Sequence, residues 1–482
     1  MNNSILSFAI VGHPNEGKSA VVSTLAENDS VRVSPTPGET KECQPFSVKI
    51  DGKERIRFID TPGFQNPQKI LQWIKQYQGL PADLISHFRK EHIGNPNFKD
   101  DCELFKPIAE GSGIIFIADG SRPIRRSDLA EMEILRLTGL PRMAILNCKQ
   151  DETFYLDQWK SEFRKHFNMT RLFNANRATY AERIELLEAL KSIDQDWTIA
   201  LEDVISAFKK DWENRNYLTT EIICALLYDA LSYRIQKRMT HPYTTDNTEE
   251  KLLYEQFNHD IASMEKKSRE MIRALFKHNI FNVDLPAHSI LHDDLMSKKT
   301  WKYLGLTSGE LVAAAGLAGG IIGAVFDLAT AGLTFGLFSA IGSLTSASLM
   351  KFKGKQRLAK TKLLGIHLGK QTICLGPIEN IQFMYVLLDR MLIFYSYIIN
   401  WSHGRRDYPA SSTAKIHPNY FQTGLIYSWN EQSKNICNEF FHAVRSKDTT
   451  REAIAGSALK KVLINQLMQL SQSEKRYGII MQ

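Results

Sequence analysis

The chain has 482 residues and a formal net charge of +7, with 43% hydrophobic and 23% charged residues. These proportions are typical of a folded protein, and the length suggests two to four domains. Six scattered cysteines without a C-x-x-C pair argue for reduced thiols and against a disulfide or zinc framework. The mild basic excess is compatible with an anionic membrane surface or with RNA, and no secretory signal peptide is expected.

A phosphate-binding loop is predicted at the start of the chain. An apolar run at 5–11 leads into Gly12-His13-Pro14-Asn15-Glu16-Gly17-Lys18-Ser19, and a helix-forming segment begins at Ala20. The loop fits G-x-x-x-x-G-K-[ST] without a mismatch, in the strand–loop–helix context that the pattern requires. Glycines let successive N–H groups face one anion, Lys18 can reach the terminal phosphates, and Ser19 can bind Mg²⁺. The alternative, a chance glycine turn, is disfavoured because the strand is present.

A hairpin and a second phosphate motif follow. Alternating segments at 44–50 and 54–60 flank Asp51-Gly52, which predicts two antiparallel strands. The second strand ends in Asp60-Thr61-Pro62-Gly63, a D-x-x-G pattern. Asp60 can hold the Mg²⁺ shell, and the N–H of Gly63 can contact a terminal phosphate. By itself this pattern is more often a plain turn, but it stands about 40 residues after a phosphate loop, which favours the functional interpretation.

About fifty residues then separate Gly63 from the next strand, which is a long connection. Apolar residues at 71–80 predict one amphipathic helix, and those at 84–88 predict another. We favour a helical embellishment of the sheet over a partner surface coupled to the preceding motif.

Base recognition is predicted beyond two further strands, at 113–119 and 143–147, which a helix at 127–137 connects. The second strand is followed by Cys148-Lys149-Gln150-Asp151. The Asp151 carboxylate can accept from the two N–H groups on a guanine edge, and the Lys149 stem can lie over the ring. A strand at 170–173 and a helix at 181–193 complete an alternating pattern, which predicts a mostly parallel sheet with ligands at the strand C-termini.

These motifs resemble those of small GTPases of the TrmE–Era–EngA class. That class writes its loop G-x-P-N-x-G-K-S, which is matched at Gly12, Pro14, Asn15, Gly17, Lys18 and Ser19. Its T-P-G-x-T switch is matched at Thr36, Pro37, Gly38 and Thr40, and its D-T-P-G is matched at 60–63. The resemblance implies GTP and GDP as ligands, with Mg²⁺ held by Ser19, Thr40 and Asp60. The cofactor-binding set also includes His13, Glu16 and Ala20.

The base motif of that class, N-K-x-D, is matched only at Lys149 and Asp151, because Cys148 stands where the class has Asn. A thiol is a poor substitute for an amide that both donates and accepts, so weaker guanine affinity is expected. Asn147 can compensate only if the strand end shifts by one residue. The resemblance also assigns the backbone N–H of Ala175 to guanine O6.

Hydrolysis by an unusual route is implied, since Phe64 stands where Ras-like enzymes carry a water-orienting Gln. In some relatives an Asn at the position of Asn15 binds K⁺. We therefore expect slow, K⁺-stimulated turnover with Lys18, Thr40, Gly63 and Asn15 at the catalytic centre. The alternative interpretation, which the sequence supports equally, is that Asn15 only stabilises the loop.

The second half of the chain is predicted to be helical, with patterns at 197–239 and 250–278. Uncharged segments at 311–326 and 328–350 flank Asp327 and would extend about 24 Å and about 35 Å as helices, against about 30 Å of hydrocarbon. Basic residues on both sides satisfy the positive-inside rule and suit anionic lipid heads. This predicts membrane insertion or reversible attachment, and the alternative is a buried Gly/Ala hairpin in a soluble helical domain.

Beyond the hairpin, a strand at 372–375, a core helix at 384–402 and helices at 431–446 and 450–470 are predicted. Asp389 and Arg390 interrupt the apolar helix, so a core position is favoured over a membrane span. Arg405 and Arg406 suit either phosphate binding or helix capping. The whole chain resembles bacterial Era-like GTPases whose C-terminal half is a domain of unknown function; Leu387-Leu388-Asp389-Arg390, the 403–407 segment and the glycine-rich segment at 311–350 carry this resemblance.

The predicted fold class is therefore an α/β P-loop G domain at 1–195, with a mostly parallel sheet and one antiparallel strand, followed by an all-α half. That half comprises a helical domain at 196–300, the apolar hairpin at 301–355 and a helical domain at 356–482. We interpret the protein as a Mg²⁺-dependent GTPase that controls a membrane-associating half on the cytoplasmic face of the inner membrane. A ribosome- or RNA-associated assembly GTPase, or a nucleotide-binding membrane protein without turnover, is the alternative. A homodimer is a further hypothesis, and nucleic acid is disfavoured because no RNA-binding module is recognisable.

Overall fold

The computed structural model describes most of the chain. The described residues are 5–26, 40–50, 53–148, 154–175, 178, 180–238, 248–276, 289–297, 300, 303–304, 367–369, 372–378, 380–399 and 424–479. Five predicted features lie outside them: the switch residues 36–38, the base-motif residues Lys149 and Asp151, the apolar hairpin at 311–350, its basic flanks, and the arginine pair at 405–406.

The first domain is built on a six-stranded sheet in the order β2-β3-β1-β4-β5-β6. Its strands are β1 (Leu6–Val11), β2 (Gln44–Ile50), β3 (Lys53–Asp60), β4 (Gly113–Asp119), β5 (Arg142–Asn147) and β6 (Met169–Phe173). Only the β2–β3 pair is antiparallel, as the Asp-Gly hairpin predicts, and the other pairs are parallel. The predicted α/β architecture is confirmed.

The apolar run of β1 explains why this sheet needs cover on both faces. Phe8 and Ile10 lie in one buried cluster, whereas Ala9 and Val11 lie in the cluster on the opposite face. Successive side chains of a strand point to opposite faces, so a continuous apolar run requires helices on both sides. Those helices are α1 (Lys18–Ala26), α2 (Pro67–Gln76), α3 (Leu84–His92), α4 (Lys99–Ala109), α5 (Arg126–Leu137), α6 (Leu156–His166) and α7 (Tyr180–Lys191).

The long connection after Gly63 contains three helices, α2 to α4, where two were predicted. The expectation of one helix over 71–80 is wrong at its end, because α2 stops at Gln76 and Leu80 is 69% exposed. The helices α4 and α6 are not foreseen by the sequence patterns. Phe105 and Trp159 are the fully buried aromatic residues that attach these two helices to the sheet domain.

The second half is mostly helical, as predicted, but the description all-α is too narrow. Its helices are α8 (Thr198–Ser232), α9 (Thr248–Leu275), α10 (Ile381–Ile399), α11 (Glu431–Ser446) and α12 (Thr449–Ile479). A small antiparallel sheet in the order β7-β9-β8 joins β7 (Ile235–Arg238), β8 (His367–Gly369) and β9 (Thr372–Leu375). The helix predicted to 239 therefore ends at Ser232, because the following residues pair with the predicted strand β9.

The helix α8 contributes to two hydrophobic cores. Its first turns place Leu201, Val204 and Ile205 in the core of the sheet domain. Its last turns place Leu227 and Leu231 in the core of the helical half. One continuous helix thus joins both cores, and the predicted domain boundaries stay predictions.

The helix α10 is the central element of the helical core. Among the residues that the structure describes, it is the one helix long and apolar enough to cross a membrane, and 89% of its most apolar window is buried inside the protein. Helices α8, α9 and α12 and the 3₁₀ turn Leu425–Ser428 pack against it. This burial agrees with the core helix that the sequence predicts.

Both charged residues of α10 are buried and bonded. The carboxylate of Asp389 accepts a hydrogen bond of 2.8 Å from the N–H of Ile426. Arg390 donates to Glu265 Oε1 at 2.8 Å and to the carbonyl of Asp293 at 3.0 Å, and Arg269 binds the same Glu265 oxygen. Arg390 therefore ties α10 to α9 and to the segment that follows the 3₁₀ turn Ile290–His292.

Replacing Arg390 with Ala should lower the free energy of unfolding by about 3–5 kcal/mol, because it leaves the Glu265 carboxylate buried beside one cation instead of two. Urea unfolding followed by circular dichroism measures the change. Arg451→Ala is the control, since its ion pair with Glu439 has exposed side chains at 60% and 56% and should matter by less than about 1 kcal/mol. Equal effects of the two changes would contradict the structural role of Arg390.

Candidate nucleotide-binding site

The phosphate loop occupies the carboxyl end of β1 and has the backbone shape of an anion cradle. Gly12 has a φ of 143°, and a Cβ at this residue would overlap the carbonyl oxygen of Ile117 in the adjacent strand β4. Gly17 and Asn15 also have positive φ angles, of 94° and 69°. Asn is among the few residues other than glycine that adopt this region readily, which suits the loop-stabilising interpretation of Asn15.

Lys18 begins helix α1 and folds back onto the loop. Its ammonium donates to the carbonyl of Gly12 at 3.2 Å and to that of His13 at 3.0 Å, and the residue is buried. The positive charge is therefore held at the loop, beside the positive end of the helix dipole, where it can neutralise an anion.

The three predicted Mg²⁺ ligands meet at one carboxylate. Ser19 Oγ donates to Asp60 Oδ2 at 2.7 Å, and Thr40 Oγ1 donates to the same oxygen at 3.3 Å. Asp60 is 1% exposed, and its Oδ1 has no hydrogen-bond partner among the residues that the structure describes. Burial raises the pKa of the Asp60 carboxyl, and the nearby charge of Lys18 opposes that shift. Two hydroxyls and an orphaned carboxylate oxygen form the oxygen donor set that a hard divalent cation prefers.

The D-T-P-G segment touches the phosphate loop directly. A Cβ at Gly63 would lie 2.5 Å from Pro14 Cδ, so only glycine allows this approach. Thr61 Oγ1 donates to the carbonyl of Ile10 at 2.7 Å and fixes the segment to the end of β1. The next residue, Phe64, is buried and packs edge-on against Phe105 at 5.8 Å. Its ring therefore belongs to the core and has no group that could orient a water molecule.

Glu16 anchors the loop through a buried charge network. Its carboxylate accepts from Arg122 Nη2 at 2.6 Å and from the N–H of Asp119 at the end of β4. The same guanidinium donates two bonds, of 2.6 Å and 2.8 Å, to Asp128 on α5. Bidentate arginine pairs are geometrically specific, so Glu16 fixes the loop to the β4–α5 connection.

His13 forms a second anchor on the same side. Its Nδ1 lies 3.0 Å from Glu131 Oε1 on α5, and Glu131 is fully buried. Burial raises the pKa of Glu131 to about 7, although its bond to His13 acts in the opposite direction. The variable positions 13, 14 and 16 of the loop thus hold it to the protein, whereas the sequence only assigned them to the nucleotide-binding set.

Asn147, which the sequence treats as one residue early, makes the amide contacts expected of the base motif. It ends β5 and is buried; its Nδ2 donates to the carbonyl of Glu16 at 2.9 Å, and its Oδ1 accepts from the N–H of Ala175 at 3.2 Å. Thr24 of α1 donates to the carbonyl of Ala175 at 3.0 Å. One amide side chain thereby joins the phosphate loop to the loop after β6.

Asn147 thus makes the contacts expected of the amide position, and the assignment of a nucleotide contact to Cys148 stays a prediction. The Cys148 sulfur lies 3.9 Å from the carbonyl of Leu146, the side chain is half-buried, and burial raises the pKa of the thiol. The N–H of Ala175 donates to Asn147, and its expected bond to guanine O6 stays a prediction. The sequence signal that could have identified Asn147 is its position as the last residue of the predicted strand. Lys149 and Asp151 lie outside the described residues.

These features define a P-loop GTPase domain with a guanine-nucleotide site. Residues 7–146 match the family model described as a 50S ribosome-binding GTPase, and residues 161–469 match the model described as a domain of unknown function (DUF3482). The chain belongs to the DUF3482 family, and its first domain is similar to that of the matching GTPase model.

Several named GTPases are similar to this chain. GTPase Der of Thermosipho melanesiensis is 28% identical over 171 residues, which are 36% of this chain and 34% of that protein. GTPase Der of Thermotoga neapolitana is 40% identical over 226 residues, covering 47% and 43%. The tRNA modification GTPase MnmE of Oceanobacillus iheyensis is 27% identical over 209 residues, covering 42% of each. The matches thus span less than half the length of these relatives.

One solved structure that is similar to this chain is Era in complex with MgGDPNP and nucleotides 1506–1542 of 16S ribosomal RNA. The two chains are 15% identical in sequence, and their TM-score is 0.27. That comparison covers 57% of this chain and 89% of the Era chain.

Replacing Asn147 with Ala should weaken GDP binding by about tenfold or more, because it removes a buried amide that joins two loops of the site. Titration with a fluorescent GDP analogue measures the dissociation constant. Cys148→Ala is the matched control in the adjacent position and should stay within about twofold of the wild type. The opposite order of effects would return the base-motif role to Cys148.

Proposed function

We propose that the protein hydrolyses GTP to GDP and phosphate in a Mg²⁺-dependent reaction. The observation that carries this proposal is the meeting of Ser19 and Thr40 at the buried Asp60 carboxylate, next to the phosphate loop. In P-loop GTPases, catalysis is mostly positioning and charge stabilisation, and those are the functions that this arrangement can perform.

The roles of the individual residues follow from their places. Lys18 and the N–H groups of the loop hold the phosphates and neutralise charge. Ser19, Thr40 and Asp60 would hold Mg²⁺, which would supply positive charge against the negative charge of the phosphates. Gly63 lies against Pro14 of the loop, and we assign its N–H to the terminal phosphate. The buried Phe64 leaves water orientation to other groups or to a partner.

We assign guanine selectivity to Asp151 and Lys149. Asn147 supports them by joining the phosphate loop to the loop after β6. The N-C-K-Q-D sequence then acts as a base motif with one inserted residue between the amide and the lysine. The contacts of Asn147 with Glu16 and Ala175 support this assignment.

The nucleotide site is coupled to the helical half through α8. Trp197, just before this helix, packs edge-on against Phe8 of β1 at 4.9 Å. Arg55 of β3 pairs with Asp203 of α8 at 3.6 Å. Both strands lead into the site, one to the phosphate loop and the other to Asp60, so a shift at either strand end reaches α8 by direct contact.

We further propose that the helical half attaches to anionic membranes through the apolar segment at 311–350 and its basic flanks. A second candidate is a ribosome-associated function, which the description of the matching GTPase model favours. The net charge of +7 suits either anionic partner.

Full-length protein should hydrolyse GTP and not ATP in K⁺ buffer with Mg²⁺, and Lys18→Ala should reduce turnover at least a hundredfold because it removes the charge that neutralises the phosphates. Phosphate release measures the rate, and chelation of Mg²⁺ should abolish it. Replacing K⁺ with Na⁺ should slow turnover if Asn15 holds K⁺; equal rates would leave Asn15 its loop-stabilising role. Tight GTP binding without turnover would contradict intrinsic hydrolysis.

Co-sedimentation should show binding to vesicles of anionic lipid, which weakens as salt is raised, and no enrichment with 50S subunits. The matched control is the same chain with Lys351, Lys353 and Lys355 replaced by Gln, which removes charge and leaves the apolar segment unchanged. Sedimentation with 50S subunits and not with vesicles would overturn the membrane proposal in favour of the ribosomal one.

A further inference from the structure

One helix of the long connection after Gly63 binds the backbone just beyond two motifs. The first switch is the T-P-G-x-T motif, which ends at Thr40, and the second switch is the D-T-P-G segment at 60–63. On α4, Asp101 Oδ1 accepts a hydrogen bond of 2.9 Å from the N–H of Gln65, two residues after Gly63. Two residues along the same helix, Glu103 Oε1 accepts one of 3.1 Å from the N–H of Cys43, three residues after Thr40. Two acidic side chains of one helix thus bind the backbone on the exit side of each switch.

The contact with the first switch is doubled. The Cys43 thiol donates to the carbonyl of Glu103 at 3.1 Å, so Cys43 is bonded to both the side chain and the backbone of the same residue. Burial raises the pKa of this thiol to about 12, and the neighbouring Glu103 adds to that shift. The group therefore stays a neutral thiol that can donate at physiological pH.

The helix α4 is itself firmly held. Leu104 and Phe105 are fully buried in the cluster that contains Ala9 and Val11 of β1. Arg89 of α3 donates to the carbonyl of Cys102 at 2.9 Å. Because α4 packs on the strand that carries the phosphate loop, it provides a fixed reference against which the two switches can be placed.

The carboxylate of Asp101 is deeply buried, whereas that of Glu103 is partly exposed. Asp101 is fully buried, and its Oδ2 has no hydrogen-bond partner among the residues that the structure describes. Burial raises the pKa of this carboxyl, which the N–H of Gln65 opposes. Hydrogen bonds from Gln65 and Asn66 offset part of the cost of burying this carboxylate, and they hold the two residues that follow Phe64.

We propose that Asp101 and Glu103 are positioning residues that hold the two switch segments together, so that Thr40 and Gly63 face the terminal phosphate of GTP. The proposal rests on the proposed function of the site. GDP lacks the terminal phosphate, so the contacts of Thr40 and Gly63 with that phosphate are made only in the GTP state. Loss of either acid should weaken GTP binding selectively and leave GDP binding intact.

The test compares Asp101→Ala and Glu103→Ala with two controls that remove nearby acids: Asp100→Ala in the same helix and Glu110→Ala at its C-cap. For each variant the dissociation constants of GDP and of a non-hydrolysable GTP analogue are measured in Mg²⁺ by fluorescence. We expect analogue binding to weaken about tenfold in the first two variants, as for the loss of one bond to a charged acceptor, with GDP affinity within about twofold. The controls should leave both affinities unchanged.

Conservative variants separate positioning from folding. Asp101→Asn and Glu103→Gln retain an oxygen that accepts the backbone N–H, and they should restore most of the analogue affinity. Equal weakening of GDP and analogue would show a merely structural role and overturn the proposal, as would unchanged affinity for both. If the wild type binds the analogue but does not turn over GTP, the hydrolysis proposal fails, and the affinity ratio still decides this one.

Discussion

The carboxylate of Asp60 is the group on which the nucleotide site depends. Parallel pairing of β1 with β3 sets Asp60 opposite Ile10, just before the phosphate loop, and this register brings Ser19 within 2.7 Å of the carboxylate. Burying a carboxylate costs free energy unless charge or hydrogen bonds compensate. Two hydroxyls and the Lys18 charge supply part of that compensation, and a divalent cation at the orphaned oxygen would supply more. Stability and cation binding thus favour the same geometry.

The phosphate loop is held by contacts that involve its variable residues. Pro14 lies against Gly63, Glu16 binds Arg122, and His13 binds Glu131, while Asn147 bonds the loop backbone. These contacts reach β3, the β4–α5 connection, α5 and β5. Backbone N–H groups can serve an anion only when the loop keeps its shape before the anion arrives, and the anchors provide that preorganisation. His13, Pro14 and Glu16 therefore have structural roles in holding this loop.

Two routes lead away from the site, and each uses a different kind of contact. Hydrogen bonds from switch backbone to α4 are directional, so they report the positions of Thr40 and Gly63. Apolar residues of α8 pack in one cluster with residues of β1 and β3, and the same helix continues into the helical core. In the helical half, α10 forms the centre of that core, and Arg390 ties it to α9. The core that α8 enters is therefore held together by hydrogen bonds and ion pairs between its helices.

The sequence alone determined the phosphate loop, D-x-x-G, the hairpin and the core helix α10, because each depends on a pattern among neighbouring residues. The parallel sheet was predictable because its strands alternate with helices along the chain. Tertiary structure decided the rest. Whether Asn147 or Cys148 serves the base motif depends on where β5 ends relative to a loop 131 positions away. The links from α4 to the switches join residues 60 and 36 positions apart, and β7 pairs with β9 across more than a hundred residues. No local pattern encodes such contacts, since they exist only once the sheet and its helices have packed.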